Sequence, residues 1–261
     1  MITAMYRIVT TLLAMLLLGA SAAAQPVAEL APSGKLRAAI NFGNAVLATR
    51  DPATGEPRGV SVDLARALGA RIGVPVELVL YESAGKVATS VSQWDIAFLA
   101  IDPARATEIA FTAPYVMIEG AYLVPIDSPI NASAQVDRAG TRVVVGAGSA
   151  YDLFLTRELK AATLVRAPTS PVVTDFLVAQ KLDVAAGVKQ QLEADAVRVP
   201  GVRLLPGRFM VINQAMGVPQ GRPAALQYLR AFVEDVKASG FVAQSLARHR
   251  VEGAVVAPAG P

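Results

Sequence analysis

The first part of the chain alternates between short apolar runs and amphipathic stretches. Three runs have the length and composition of buried strands: residues 36–40, 76–80 and 96–101. Between them, residues 61–72 carry apolar side chains at helical spacing and end at Gly73, and residues 83–92 predict a second helix. Strands that alternate with helices in this way predict a parallel sheet covered by helices.

The same alternation restarts in the second half of the chain. Strands are predicted at residues 142–145, 164–166 and 184–188, and helices at residues 150–160 and 172–180. One predicted strand, residues 121–126, leads into this half, and another, residues 210–218, leads out of it. Two predicted helices, residues 223–239 and 241–250, follow at the end of the chain. Two α/β units joined by two crossings predict two lobes, with a ligand cleft at the carboxyl ends of the strands.

The segment from residue 94 to residue 126 contains the most informative chemistry. An apolar run stops at Asp102, a favourable helix N-cap, and Pro103 suits the first position of a helix. Arg105 would then lie in the first helical turn, beside unpaired backbone N–H groups. Because a guanidinium beside a helix N-terminus can hold a carboxylate, this segment predicts a receptor for small anionic or zwitterionic molecules.

The first 24 residues have the pattern of a secretory signal peptide. Arg7 is their only charge, an apolar stretch at residues 8–18 follows, and Ala22 to Ala24 fit the rule for a cleavage site. We therefore expect cleavage near Gln25 and a mature protein exported to the periplasm. The apolar stretch is short for a membrane span, so retention as an N-terminal anchor is only the alternative.

Composition narrows the classes of function. The chain has 261 residues, no cysteine, one histidine and a formal net charge of +3. It can form neither disulfides nor thiolate metal sites, and we expect no metal and no cofactor. Its Lys and Arg residues are scattered rather than grouped in an aromatic-rich basic patch, so we expect no nucleic acid partner. A monomer is expected.

Six segments carry a family resemblance: GKLR at 34–37, GVSVDLA at 59–65, WD at 94–95, PARA at 103–106, FTAPY at 111–115 and AMGV at 215–218. In order and spacing they resemble periplasmic solute-binding proteins of the amino-acid ABC-transporter type, the family 3 extracellular solute-binding proteins. The resemblance implies the α/β type 2 periplasmic-binding fold. In that fold, two Rossmann-like lobes are joined by two hinge crossings and close over a ligand in the cleft between them.

The resemblance also implies boundaries and partners. Lobe 1 would comprise residues 25–123 and 218–250, lobe 2 residues 124–217, and residues 251–261 a C-terminal tail that we expect to be disordered. The protein would capture a small carboxylate-bearing solute, first of all an amino acid, and deliver it to the membrane permease of an ABC importer.

Site residues follow from the same resemblance. Arg105 matches the arginine that grips the substrate carboxylate, and Ser149 with Ala150 matches the start of the lobe-2 helix whose N–H groups complete carboxylate binding. Two further groups match segments that line the site: Asn41, Phe42 and Asn44 after the first strand, and Phe98, Leu99 and Ala100 before the predicted helix.

The chain departs from the family pattern at the position that holds the ligand ammonium. Val188 stands where receptors for α-amino acids usually have an acid, and Lys189 follows it. The segment at residues 98–100 is also apolar, without the usual Ser or Thr. A monocarboxylate, a dicarboxylate that reaches Lys189 or an apolar amino acid fits as well, and Glu119 is a candidate for the missing negative charge.

Other classes of function are weighed against this one. The segment at residues 146–151 resembles a dinucleotide-binding turn, but Tyr151 replaces its third glycine and no acid follows about 20 residues later. Cyclohexadienyl dehydratases of prephenate or arogenate share the predicted fold but need a general acid or base in the cleft. Val188 occupies that position, so we do not expect an enzyme. A ligand-binding sensor component stays an alternative.

Overall fold

The computed structural model describes residues 25–260, so the predicted signal peptide at residues 1–24 lies outside the described part. The strands are β1 (Leu36–Asn41), β2 (Thr49–Arg50), β3 (Pro57–Arg58), β4 (Val76–Tyr81), β5 (Ile96–Ala100), β6 (Ile109–Pro125), β7 (Arg142–Gly146), β8 (Thr163–Ala167), β9 (Val184–Val188), β10 (Val202–Leu204), β11 (Met210–Pro219) and β12 (Val255–Val256). The helices numbered here are α1 (Val60–Ile72), α2 (Ala84–Thr89), α3 (Ala150–Glu158), α4 (Val173–Ala179), α5 (Lys189–Arg198), α6 (Pro223–Ala238) and α7 (Phe241–Arg248), and residues 25–30 are helical as well. Among these residues, no helix is both long and apolar enough to cross a bilayer.

A single mixed sheet runs through the molecule in the order β4-β1-β5-β11-β6-β9-β7-β8. The pairs of β1 with β4 and β5 are parallel, and so are the pairs of β7 with β8 and β9. The two central strands, β6 and β11, run antiparallel to each other and to their outer neighbours, and the short strands β10 and β12 also pair antiparallel with β6. The two parallel groups are the two predicted lobes, and β6 and β11 are the two crossings.

The strand β6 is much longer than the strand predicted at residues 121–126. It has 17 residues, and its first part pairs with β11 while its last part pairs with β9. Pro114 lies inside it, where a proline cannot donate a ladder hydrogen bond. The pairing register with β11 shifts beside Pro114. Such a bulge-like irregularity tolerates proline, so the strand continues past it.

The structure contains a helix that the sequence patterns miss, and it orders the C-terminal tail. Helix α5 was not predicted, because residues 189–198 carry few apolar side chains and show only a weak helical stripe. The tail was expected to be disordered, but β12 pairs with Met117 and Val116 of β6, and the N–H of Ala257 donates to Tyr115 O. Beyond β12, the side chain of Lys237 donates to Pro258 O at 2.8 Å.

One ion pair occurs at equivalent positions in both lobes. In lobe 1, Asp95 precedes β5 and accepts hydrogen bonds from the backbone N–H and the guanidinium of Arg37 on β1. In lobe 2, Asp183 precedes β9 and accepts the same two kinds of bond from Arg142 on β7. The two pairs differ in burial, since the Asp95 side chain is 0% exposed and that of Asp183 is 38% exposed. Arg222 adds a second cation at Asp95, 3.1 Å away.

This difference in burial predicts different stabilities for two matched variants. Asp95→Asn leaves two arginines around a buried site without their anion and should lower the free energy of unfolding by about 3–5 kcal/mol. The midpoint of thermal unfolding should then fall by roughly 6–20 °C. Asp183→Asn, the control, breaks an exposed pair and should lose no more than about 1 kcal/mol. Equal losses in calorimetry would contradict the assignment of Asp95 as a structural anchor.

Candidate functional site

A cavity of about 30 Å³ lies between the lobes, where strands β1, β5 and β7 end. Eight of the predicted site residues line it: Asn41, Asn44, Leu99, Ala100, Arg105, Ser149, Ala150 and Val188. The volume has room for about two water molecules. The cleft is therefore closed in this structure, and a solute needs it to open. Among residues 25–260, no three acidic or histidine side chains cluster closely enough to hold a metal ion.

Arg105 reaches the cavity from a tight turn rather than from a helix. Residues 103–108 form consecutive turns, in which the N–H groups of Arg105 and Ala106 both donate to Asp102 O. The Asp102 carboxylate caps this turn by accepting from Ala104 N at 2.9 Å. The predicted helix is wrong, because residues 103–108 are turns and the chain enters β6 at Ile109. The position of Arg105 near the cleft does not depend on that helix.

The Arg105 guanidinium is buried without a partner of opposite charge. The residue is 4% exposed, and its Nη1 and Nη2 donate to Ala100 O at 2.9 Å and Gly148 O at 2.8 Å. Its Nε has no hydrogen-bond partner among residues 25–260. Burial lowers the pKa of the guanidinium to about 10, and Asp102 only partly opposes this effect. A buried cation that lacks an anion favours binding of one.

Asp102 cannot serve as that anion, because Arg157 of lobe 2 holds it. The Arg157 guanidinium donates to both Asp102 carboxylate oxygens, at 3.3 and 2.8 Å. This bond and the one from Arg105 to Gly148 both cross the cleft. Two cross-cleft contacts therefore link the lobes directly.

The start of α3 forms the opposite wall of the cavity. Ser149 is its N-cap, as predicted, and its Oγ accepts from the N–H of Asp152 at 3.0 Å. The Asp152 carboxylate accepts from Gly148 N at 2.8 Å, which fixes the turn before the helix. The N–H groups of the first helical turn have no intrahelical acceptor, so those of Ala150 and Tyr151 can complete an anion site.

The loop after β1 contributes two asparagines with different environments. Asn41 accepts from Gly43 N at 3.0 Å, so its side chain shapes the loop. Asn44 is 8% exposed, and its Oδ1 has no hydrogen-bond partner among the described residues. An unpartnered buried acceptor is unfavourable, so Asn44 is the more informative of the two.

Four predicted site residues lie away from the cavity, and their role in binding stays a prediction. Phe42 packs beneath Arg50, whose guanidinium lies 4.4 Å from the ring centroid, and Phe98 packs edge-on against Tyr115. Glu119 and Lys189 form an ion pair at 3.1 Å on the hinge.

Glu119 is also bound by Arg208 at 2.7 Å. Hydrogen bonds from Arg208 and then from Lys189 lower the pKa of the Glu119 carboxyl. Its charge is therefore already compensated outside the cavity.

Six residues that line the cavity were not predicted: Gly43, Ala84, Tyr151, Ser170, Ile212 and Gln214. Gln214 had a usable signal, since Asn213 and Gln214 interrupt the apolar return strand, and Gln214 is 6% exposed. Tyr151 is 3% exposed, and burial raises the pKa of its phenol to about 12. It therefore acts as a neutral hydrogen-bonding group at neutral pH.

The closed cleft depends on two glycines that meet across it. A Cβ atom added to Gly85 of α2 would lie 3.2 Å from the Cα of Gly148. A Cβ added to Gly148 would lie 2.7 Å from the Cα of Gly85, and Gly148 has a φ of +68° that disfavours other residues. Side chains at either position would hold the lobes apart.

Comparisons with known proteins agree with this architecture. Residues 39–251 match the family of bacterial extracellular solute-binding proteins, family 3. The chain belongs to this family. The comparison with curated proteins gave no match.

Solved structures show the same fold at low sequence identity. The L-cysteine solute receptor of Neisseria gonorrhoeae is 23% identical with a TM-score of 0.74, over 85% of this chain and 92% of that one. A lysine complex of an ABC-transporter binding component from Wolinella succinogenes is 20% identical with a TM-score of 0.71, over 83% and 95%. An ancestral amino acid-binding protein, a precursor of cyclohexadienyl dehydratase, is 19% identical with a TM-score of 0.72, over 85% and 98%.

The glycine contact predicts a variant that cannot close. Gly85→Val should weaken solute binding by about 5- to 150-fold, since overpacking by this amount is worth about 1–3 kcal/mol. Small-angle scattering should show a larger radius of gyration than for the wild type. Lys86→Val places the same side chain at an exposed position of the same helix and serves as the control. An unchanged radius of gyration in Gly85→Val would show that the two glycines do not limit closure.

Proposed function

We propose that this protein is the exported receptor of an ABC importer, which captures a small carboxylate-bearing solute by closure of its two lobes. The observation that carries the proposal is Arg105, a buried cation at the closed cleft between the lobes, with an unpartnered Nε and no anion of its own. The N-terminus of α3 faces it with further donors. Amino acids are the first solutes to test, since the similar structures include a receptor for L-cysteine and an ABC-transporter binding component in complex with lysine.

A receptor fits the cavity better than an enzyme does. General acid or base catalysis needs a group that exchanges a proton near neutral pH. Of the described residues that line the cavity, Arg105 and Tyr151 are the titratable ones, and the Tyr151 phenol has a pKa of about 12. A dehydratase would need a proton donor or acceptor that this lining does not offer. Turnover of prephenate or arogenate by the purified protein would contradict the proposal.

Substitution of Arg105 tests the carboxylate site directly. Arg105→Ala should weaken binding of a carboxylate solute by about 2–5 kcal/mol, or about 30-fold to several thousand-fold, because the ligand anion loses its buried partner. Arg105→Lys should also lose much of the affinity, since an ammonium cannot form the two-pronged contact. Thermal-shift screening of amino acids and organic acids would find the solute, and calorimetry would measure its affinity.

Arg66→Ala is the control for the loss of a positive charge, because it removes an exposed arginine from α1. Its affinity should equal that of the wild type. If Arg105→Ala binds the same solutes equally well, Arg105 has only a structural role and the receptor proposal loses its main support.

Localisation gives an independent test of export. The charge at Arg7, the apolar stretch and the small residues before Gln25 predict a mature N-terminus near Gln25 in a periplasmic extract. N-terminal sequencing of the native protein measures this directly. Recovery of the chain with Met1 intact in the membrane fraction would instead show a retained anchor.

A further inference from the structure

The charges around the cavity are unusual for a site that would hold a zwitterion. Two adjoining cavities of about 30 and 10 Å³ share Asn44, Tyr151 and Val188 in their walls. Of the described residues that line them, Arg105 is the only one charged at neutral pH. The lining therefore carries one positive charge and no negative charge.

Carboxylates near the cleft are already neutralised by arginines and a lysine. Asp102 is bound by Arg157, as described above. Asp152, behind the start of α3, is bound by Arg166 at 3.0 Å. Glu119 on the hinge is held between Lys189 and Arg208. None of these three anions is free to pair with an ammonium group of a solute.

A cleft with one uncompensated cation selects an anion over a zwitterion. A monocarboxylate brings one negative charge and makes the closed complex neutral. An α-amino acid brings an ammonium as well, which would be desolvated near Arg105 without a counter-ion. Val188 stands where receptors for α-amino acids usually have an acid that holds the ligand ammonium. Its side chain cannot accept a hydrogen bond.

Unpartnered polar atoms indicate what else the solute carries. The Arg105 Nε is a donor, and it suits a carboxylate oxygen. Asn44 is only 8% exposed, and its Oδ1 is a hydrogen-bond acceptor without a partner among the described residues. This oxygen suits a neutral donor such as a hydroxyl. The remaining lining combines aliphatic side chains, Leu99, Val188 and Ile212 among them, with uncharged polar ones such as Ser170 and Gln214.

We infer that the solute is a short aliphatic hydroxy acid, a monocarboxylate with a hydroxyl group in place of the α-ammonium of an amino acid. This inference rests on the proposed receptor function and names the class of solute for the same site. Arg105 and the α3 N-terminus bind the carboxylate. Asn44 accepts the hydroxyl proton in a hydrogen bond, and the aliphatic wall contacts the carbon skeleton.

Two matched series of solutes test the inference by calorimetry. The first is lactate, propionate and alanine; the second is 2-hydroxy-4-methylpentanoate, 4-methylpentanoate and leucine, with both enantiomers of each chiral member. In at least one series, the hydroxy acid should bind at least tenfold more tightly than the amino acid. The unsubstituted acid should lie within about tenfold of the amino acid, a gap under roughly 1.4 kcal/mol.

Variants of Asn44 separate the charge from the hydrogen bond. Asn44→Leu should remove the preference for the hydroxy acid over the unsubstituted acid. Asn44→Asp adds a carboxylate of nearly the same shape, and it should shift the preference toward the amino acid by at least tenfold. Asn131→Asp makes the same charge change at an exposed position and should leave the preference unchanged. Thermal unfolding confirms that each variant is folded.

The outcomes distinguish this inference from the proposed function. If the amino acid binds as tightly as the hydroxy acid or more tightly in both series, the inference is wrong, while dependence on Arg105 keeps the receptor function intact. If none of these solutes binds, the inference is also wrong, and the wider carboxylate screen alone decides the receptor function. If solutes bind independently of Arg105, both fail.

Discussion

The antiparallel pairing of β6 and β11 is the constraint on which the rest of the structure depends. The two strands join the lobes, because β11 pairs with β5 of lobe 1, β6 pairs with β9 of lobe 2, and β6 and β11 pair with each other. One continuous sheet therefore runs from lobe 1 into lobe 2. The carboxyl ends of the parallel strands in both lobes face the same gap, which places the turn of Arg105 opposite the start of α3.

The charged groups near the cleft are of two kinds, those paired with an opposite charge and those without such a partner. Most form ion pairs that fix local structure, as Asp152 does in the turn before α3 and as Glu119 does on the hinge. Arg105 is different, since its guanidinium contacts carbonyl oxygens only. A residue that is left without its counter-charge in a closed, folded protein reduces stability, and such unfavourable positions are characteristic of functional sites.

Much of this arrangement could be predicted from the sequence because it depends on local patterns. The alternation of strands and helices gave the two lobes, and Ser149 followed by an acid three residues later identified the start of α3. Arg105 was recognised from its neighbours, although the helix expected around it is a turn. The local signal at Asp102 and Pro103 is genuine, but the early start of β6 at Ile109 overrides it.

Other parts of the site depend on long-range geometry that a single sequence does not encode. Tyr151 and Ser170 belong to different segments of lobe 2, and only the packing of those segments brings both to the cavity. Phe42 and Asn44 are two residues apart in one loop, yet Phe42 packs under Arg50 while Asn44 lines the cavity. Whether Glu119 faces the cleft depends on Arg208, which lies 89 residues later in the chain.

The position of the C-terminal strand has a consequence for the order of folding. The lobe-2 strands and helices from β7 to α5 are continuous in sequence, whereas lobe 1 needs β11, α6, α7 and β12, all of which are synthesised last. The side chain of Glu29, near the start of the described chain, accepts from the N–H of Ala225 across 196 positions. Contacts of such long sequence separation form slowly, and domains assemble from the N-terminus as the ribosome releases them. The nascent chain thus carries an unfinished lobe 1 until its last strands and helices have been synthesised, so the two lobes of one sheet are completed at different times.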